Sequence, residues 1–352
     1  MRFLHIADVH LGAKPDRGKV WSDRRAEEIE ASFKNILKVC EEQQVDLLLI
    51  AGDLFDGQPS LSRLKNIDYL LSCMPYTKTL IIAGDSDYIE SGACWENYRF
   101  NSNTIVFPRD RAASVYLEDI NVSVTGYSYG KAEYTERILE KLAPAHEGAY
   151  NILLGHGGDV THMPFSKKKL AERGFDYVAL GHIHKPSHIL KDKMAFSGSL
   201  EPLGITETGR HGYIMGEVNG EGETRIEFVP YATRSYVTMK LMLSEGYTNA
   251  DVMDAVRAQI TKTGEKHIYR ILLGGVISHD VEINLSSLTR EYNIYDIIDD
   301  TEYSYDMDEL VTDNRQNLFG RFVERLSAED STEDEETRSK ALKYGIDAIL
   351  GI

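Results

Sequence analysis

Along the first half of the chain, short apolar runs alternate with amphipathic stretches. Residues 2–7 (RFLHIA), 46–51 (DLLLIA), 79–83 (TLIIA), 151–154 (NILL) and 176–180 (DYVAL) are apolar and each is followed by Gly or Asp. Runs of this length with no polar alternation are expected as strands buried on both faces. Between them the apolar positions recur at helical spacing. In 23–43, Ile29, Phe33, Ile36, Leu37 and Cys40 fall on one stripe, and 60–74 and 133–143 read the same way. Strand alternating with helix implies an α/β layered core. From 188 to 230 the pattern changes to short segments (HIL, MAFSG, GYIMGEV, TRIEFVP) set apart by Gly and charged residues. These are expected as antiparallel strands that complete a second sheet.

After Pro230 a new unit begins. Residues 236–243 (YVTMKLML) alternate like a strand, 249–260 (NADVMDAVRAQI) repeat like a helix, and 267–277 (HIYRILLGGVI) return to strand. The division expected is 1–235 for the main domain, 236–310 for a small α/β capping domain and 311–352 for an acidic helical tail. Residues 301–352 hold 13 acidic and 6 basic side chains. Within them 328–336 (AEDSTEDEE) is expected as a solvated linker between two amphipathic helices. One helix carries Leu318, Phe319, Phe322, Val323 and Leu326; the other carries Leu342, Ile346, Ile349 and Leu350. Both stripes are expected to pack on their own protein, with docking of a partner helix as the alternative.

Composition narrows the class. Of 352 residues 42% are hydrophobic and 27% charged, with a net charge of −17. A coating protein for nucleic acid needs a broad cationic face, which this balance excludes. It leaves open a nucleic-acid enzyme that attracts phosphate through bound metal. The three cysteines, Cys40, Cys73 and Cys94, are few and scattered, as in a reducing compartment. No apolar stretch reaches signal-peptide or membrane-span length, so the chain is expected to be cytoplasmic.

The hard ligands cluster where the apolar runs stop. Asp8 and His10 follow the first run, Asp53 the second, Asp85 and Asp87 the third, His156 the fourth, and His182 and His184 the fifth. In open α/β sheets, ligands bind beyond the carboxyl ends of the strands. Singly these residues have ordinary explanations: Asp8 as a turn cap, His10 as a surface histidine, Gly52-Asp53 as turn chemistry. Taken in order, each just past an apolar run, they point to one shared edge. Mixed carboxylate and imidazole donors suit Mn²⁺, Fe²⁺ or Zn²⁺ better than Ca²⁺. Seven or eight donors exceed one tetrahedral site and fit two ions with a bridging carboxylate, the arrangement that serves phosphoester hydrolysis.

Arranged as DVH (8–10), GDLFD (52–56), GDSD (84–87), GH (155–156) and GHIH (181–184), the chain resembles the calcineurin-like metallophosphoesterases. More narrowly it resembles the DNA-repair exonucleases of the SbcD type, through ADVHLG at 7–12, the arginines at 24–25, AGDLFDGQPS at 51–60 and SGSLEP at 197–202. The resemblance covers about 1–235 well and 236–310 in outline. It implies a two-sheet α/β sandwich and two divalent ions, usually manganese. One ion would take Asp8, His10, Asp53 and His184, the other Asp53, Asp85, His156 and His182, with Asp53 bridging. It also implies an ABC-type ATPase partner of the SbcC type, docked through the helices at 313–326 and 337–350, and a homodimer.

One departure is sharp. Where the family has GNHD, this chain has GDSD. Asp85 exchanges a neutral amide ligand for a carboxylate. Ser86 replaces the histidine that assists the leaving group, and serine is no acid near neutral pH, whereas general acid catalysis is typically worth ~10²–10⁴ in rate. His162, His188 and His211 remain as substitutes in space. The catalytic parts therefore rest with Asp53, His184 and the weakened Ser86. Around GHIH lie seven basic residues, Lys167, Lys168, Lys169, Arg173, Lys185, Lys191 and Lys193, against three acidic ones over 161–193. They read either as a solvated face or as phosphate contacts leading to the ions. The leading reading is a two-metal DNA exo- or endonuclease subunit. A phosphoesterase for a small nucleotide-like substrate and a catalytically impaired metal-binding scaffold are the alternatives.

Overall fold

The structure, a computed structural model, describes residues 1–101, 103–305, 307–327 and 334–350. The chain divides into two compact units: 1–238 with 266–270, and 239–265 with 271–352.

Among the described residues, twelve strands lie wholly within the first unit, in chain order: β1 (Arg2–Ile6), β2 (Leu47–Ala51), β3 (Lys78–Ile82), β4 (Thr104–Val106), β5 (Ala113–Leu117), β6 (Val122–Gly126), β7 (Tyr150–His156), β8 (Tyr177–Gly181), β9 (Ser187–Leu190), β10 (Met194–Phe196), β11 (Gly212–Val218) and β12 (Thr224–Pro230). They form two six-stranded sheets, β12-β11-β1-β2-β3-β4 and β5-β6-β7-β8-β10-β9. The neighbours β1 to β4 are parallel, as are β6, β7, β8 and β10. Alternation along each buried strand divides its side chains between two layers. Phe3, Leu47, Leu49, Leu80 and Ile82 meet Val124, Ile152, Leu154, Tyr177 and Ala179 between the sheets. Leu4, Ile6, Leu48 and Ile50 pack on the other face, with Ile29, Phe33 and Ile36 of helix α1 (Ser22–Glu42) and Leu64 and Ile67 of α2 (Leu61–Ser72). The apolar runs are therefore strands buried on both sides, in a mixed α/β sandwich.

Two sequence expectations change. A second sheet does form, but β11 and β12 extend the first one, β11 antiparallel to β1 and β12 antiparallel to β11. The contact that seats them is Gly216 under the Phe3 ring, where a Cβ would lie 2.0 Å from Cζ. The helix expected over 133–143 is absent apart from a single 3₁₀ turn at Leu139–Lys141. Tyr134 instead exchanges backbone hydrogen bonds with the 161–163 loop: its N–H donates to Thr161 O and its carbonyl accepts from Met163. Tertiary pairing overrides the local helical pattern there. Two short helices complete this unit, α3 (Cys94–Asn97) and α4 (Lys167–Ala171).

The remaining elements are β13 (Tyr236–Leu243), α5 (Asn249–Thr263), β14 (Ile268–Ser278), α6 (Leu288–Glu291), β15 (Ile294–Asp299), β16 (Glu302–Ser304), α7 (Met307–Asp313), α8 (Leu318–Ser327) and α9 (Glu335–Leu350). Strand β14 lies between β13 and β15 and also pairs with β16. Helix α5 opens with a capping box between Thr248 and Asp251 and buries Val252, Val256 and Ile260. In α8 and α9, Val323 and Ile346 are buried while Leu318 and Ile349 are exposed. Most of the acidic stretch expected as a linker, 328–333, lies outside the described residues. Among the described residues no helix is long and apolar enough to cross a membrane.

Candidate metal centre

The expected donors converge beyond the carboxyl ends of β1, β2, β3, β7 and β8. Asp8, His10, Asp53 and His156 are almost wholly buried, and Asp85, His182 and His184 are half-buried. Their atoms fall into overlapping groups, each within ligand reach of a common point: Asp8, His10 and His184; Asp85, His156 and His182; and Asp8, Asp53 and His156. Asp53 faces both sides, with Oδ2 3.4 Å from His10 Nε2 and Oδ1 3.7 Å from His156 Nε2. His182 and His184, two residues apart, serve different groups. His182 Nδ1 is 2.8 Å from Asp85 Oδ1, and His184 Nε2 is 3.3 Å from His10 Nε2.

Backbone geometry accounts for this convergence. Asp8, His10, Asp53 and His182 all have positive φ, at 52°, 50°, 51° and 96°. That conformation is uncommon outside glycine and concentrates at functional sites. Loop-to-loop hydrogen bonds hold it: Asp8 N–H to Gly52 O, His10 N–H to Asp53 O, and His182 N–H to the Asp8 carboxylate. Two glycines admit the close approach. A Cβ on Gly52 would lie 2.2 Å from His156 Nδ1, and one on Gly84 2.1 Å from Asp53 Oδ1.

Three of the four imidazoles are held from behind by a hydrogen-bond acceptor. His156 Nδ1 donates to Ala51 O at 2.8 Å, His182 Nε2 to Asp159 at 2.8 Å, and His184 Nδ1 to Glu207 at 2.8 Å. His10 Nδ1 has Asp56 Oδ1 at 3.5 Å, an ion-pair contact longer than a good hydrogen bond. With those protons fixed outside, the nitrogens facing inward carry lone pairs. His10 Nε2 and His184 Nε2 then oppose each other at 3.3 Å, and two more inward nitrogens face Asp85 Oδ1 at 2.8 Å. Lone pairs so arranged repel unless a cation or a proton lies among them. The residues present thus fit divalent ions, and the absence of thiolate with the mixture of nitrogen and oxygen favours borderline metals.

Protonation follows the same logic. Burial opposes charge on His156, but Asp53, Asp85 and Asp8 outweigh it and raise its pKa to about 10. His184 is raised to about 9 against its burial, mainly by Glu207 and Asp8. Burial raises Asp8, whereas Asp85 lies well below the carboxylate range because hydrogen bonds from His156 and His182 overcome its burial.

Asp87 takes no place among the inward donors. Its carboxylate accepts the amides of Gly84 and Phe55 at 2.7 and 3.0 Å, and burial followed by Asp53 raises it to about 7. It ties the third loop to the second. Ser86 donates its amide to Asp53 Oδ1 at 3.0 Å. Of the spare histidines, His162 lies at the edge of the cluster, His211 is buried behind it on Ser199, and His188 is exposed on β9. Lys169 faces Glu140, Arg173 Nε donates to Leu142 O, and Lys185 directly follows His184. Lys167 and Lys168 are exposed on α4. Sequence reasoning missed Asp159, Glu207 and the outer role of Asp56, since no spacing rule ties a supporting carboxylate to its imidazole.

Imidazole and carboxylate donors at the carboxyl edges of an α/β sandwich belong to the class of metal-dependent hydrolases. Residues 1–186 match the family model of the calcineurin-like phosphoesterases, and the chain belongs to that family. It is a metallophosphoesterase by family, which implies phosphoester hydrolysis with divalent metal. The chain is also similar to the uncharacterized metallophosphoesterase YhaO of Bacillus subtilis (strain 168), 29% identical over 251 residues. That match covers 65% of this chain and 60% of the relative's own length.

Proposed function

We propose that the chain is a two-ion phosphodiesterase whose substrate is DNA, working as the nuclease subunit beside an ABC-type ATPase. What carries the two-ion part is Asp53, which turns one carboxylate oxygen to each histidine group. On this reading Asp8, His10, Asp53 and His184 hold one ion, and Asp53, Asp85, His156 and His182 the other. Bound there, the two ions would supply a nucleophile from water and neutralise charge on the phosphate. The chain's own residues orient the donors: Asp159, Glu207, Asp56 and Ala51 O fix the rings, and Asp87 holds the GDSD loop. Manganese is the proposed metal, and DNA is the proposed substrate on the strength of the SbcD-type motifs. One of those resemblances acquires a physical role. Arg25 lies against Glu201 of SGSLEP with both side chains buried, so two of the motifs form one interaction.

Ser86 favours a second reading, in which turnover on unactivated DNA is weak. No imidazole occupies that position, and its amide serves Asp53.

The experiment compares manganese-loaded protein on duplex ends, hairpins and single strands, with and without the ATPase, against a chromogenic phosphodiester. Cleavage of DNA that disappears in Asp53→Ala and His184→Ala supports the nuclease reading. Fast turnover of the chromogenic ester with all DNA forms intact assigns a small substrate. Activity on DNA that arises only in Ser86→His assigns a scaffold.

A further inference from the structure

His162 is a fifth imidazole beside the cluster, and its surroundings repeat the construction of His156, His182 and His184. It sits in the loop after β7, on a turn built by Asp159. Asp159 Oδ1 accepts the amides of Thr161 and His162 at 2.9 and 2.8 Å. The same carboxylate lies 2.9 Å from His162 Nδ1, while its Oδ2 lies 2.8 Å from His182 Nε2. Backbone bonds with Tyr134 fix the loop from the other side, and Gly158 N–H donates to His162 O at 2.7 Å. One carboxylate therefore orients two rings, which lie 4.5 Å apart between centroids.

The ring's other nitrogen points inward. With the Nδ1 proton held by Asp159, Nε2 carries a lone pair, and it lies 3.8 Å from Asp85 Oδ2. Asp85 Oδ1 already faces His156 and His182. The second carboxylate oxygen is thus turned to a third nitrogen lone pair. An amide at position 85 could donate a proton across that gap; a carboxylate cannot. Donors at ~2.0–2.2 Å from one ion stand up to about 4.2 Å apart, so 3.8 Å admits a shared cation. Asp159, His162 and His182 also lie within ligand reach of one another, with Asp159 Oδ1 accepting two amides and Oδ2 facing His182 Nε2.

We propose that His162, through Nε2, is a ligand of the ion held by Asp85, His156 and His182, paired there with the second oxygen of Asp85. This deepens the two-ion reading above and rests on it. An ion so held has three imidazoles where the other ion has two.

The test uses metal-stripped full-length protein titrated with Mn²⁺, with the unbound ion counted by electron paramagnetic resonance and a thermal melt run on each variant. The wild type takes two ions. His162→Ala should weaken the second by about 10–100-fold and leave the first unchanged. His162→Gln, which keeps an oxygen at similar reach, should recover part of the loss. In the wild-type protein itself, pulsed resonance should resolve ¹⁴N couplings from three imidazoles at one ion. Two couplings there, or two unaltered affinities in His162→Ala, overturn the proposal while leaving the two-ion reading intact. Lost turnover with unaltered affinities also overturns it, since the ring then acts on substrate. A wild type that takes fewer than two ions overturns the two-ion reading and this proposal with it.

Discussion

Arginines 24 and 25 are adjacent in sequence but opposite in environment, which makes a controlled perturbation. Arg24 is largely exposed and its guanidinium reaches Glu28 only at 3.5 Å. Arg25 is fully buried. Its Nη2 donates to Pro202 O at 2.8 Å, both terminal nitrogens lie 3.3 Å from Glu201 Oε2, and Nη1 also bonds Glu28. Glu201 in turn accepts Ser32 Oγ and the Thr233 amide, both at 2.6 Å, and Arg234 closes the group on Glu28. Two cations and two anions balance.

Replacing Arg25 with Met removes one cation and leaves Glu201, 1% exposed, without its counter-charge. Breaking a buried pair from one side costs about 3–5 kcal/mol. For a unit of this size that is roughly 6–20 °C in melting temperature. Arg24→Met should change stability by less than about 0.5 kcal/mol. Acid adds a second readout. Burial opposes charge on Glu28, but Arg234 and Arg25 prevail and hold its pKa below the ordinary 4.5. A lowered folded pKa gives stability that is present above the unfolded value and lost as pH falls through the folded one. The wild type should therefore lose its advantage over Arg25→Met as pH drops below about 4.5. Urea unfolding at pH 7 and pH 3.5 measures both effects. A cost under 1 kcal/mol for Arg25→Met, or equal costs for the two arginines, would refute the reasoning.

Three further outcomes are expected. Burial lowers the His5 pKa to about 3, so between pH 6.5 and 5 the unfolded state binds the extra proton; the wild type should lose about 2 kcal/mol over that interval, and His5→Phe should flatten the slope in urea titrations. With His156 raised to about 10 and His184 to about 9, ion uptake at pH 7 must expel a proton from each ring. Apparent affinity should rise about tenfold per pH unit for each proton released, and calorimetry in buffers of different ionisation heat should count about two or more protons. Gly84→Ala places a Cβ 2.1 Å from Asp53 Oδ1 and 2.7 Å from its amide nitrogen; Mn²⁺ titration should show both affinities reduced at least about tenfold, because the displaced carboxylate faces both groups.

The parts of the fold written into local pattern were legible. The runs ending at Ile6, Ala51, Ile82, His156 and Gly181 are buried on both faces, and such strands show as unbroken apolar sequence. Since chemistry collects where such strands stop, the acids and imidazoles expected there come together in space. Asp87, which belongs to neither expected ligand set, accepts two amides instead. What stayed illegible depends on contacts between distant segments. Strands β11 and β12 carry no mark of which sheet they join; β11 pairs with β1, and Gly216 leaves room for the Phe3 ring opposite it. The helical pattern at 133–143 gives way to pairing of Tyr134 with the 161–163 loop, at His162 28 residues on. Asp159 and Glu207 lie 23 residues to either side of the histidine each one orients, at no spacing a motif could express.

That division between inner donors and outer supports bears on how the centre works. Four donor-bearing residues hold left-handed backbone, at a cost of order 1–3 kcal/mol each, and the loops that carry them are hydrogen-bonded to one another. Asp8, His10, Asp53 and His182 are therefore fixed by the protein's own amides and carbonyls, whichever cation they meet. Selectivity then rests on donor type and on the outer carboxylates that set each imidazole's basicity. Asp159 stands out among these, because it orients His182 and His162 together. Loss of its charge should release two rings at once, whereas loss of Glu207 releases only His184. On the two-ion reading, an ion beside Asp85 would thus be the more exposed to a single outer substitution, although it is also the one that the extra carboxylate at position 85 would hold more tightly.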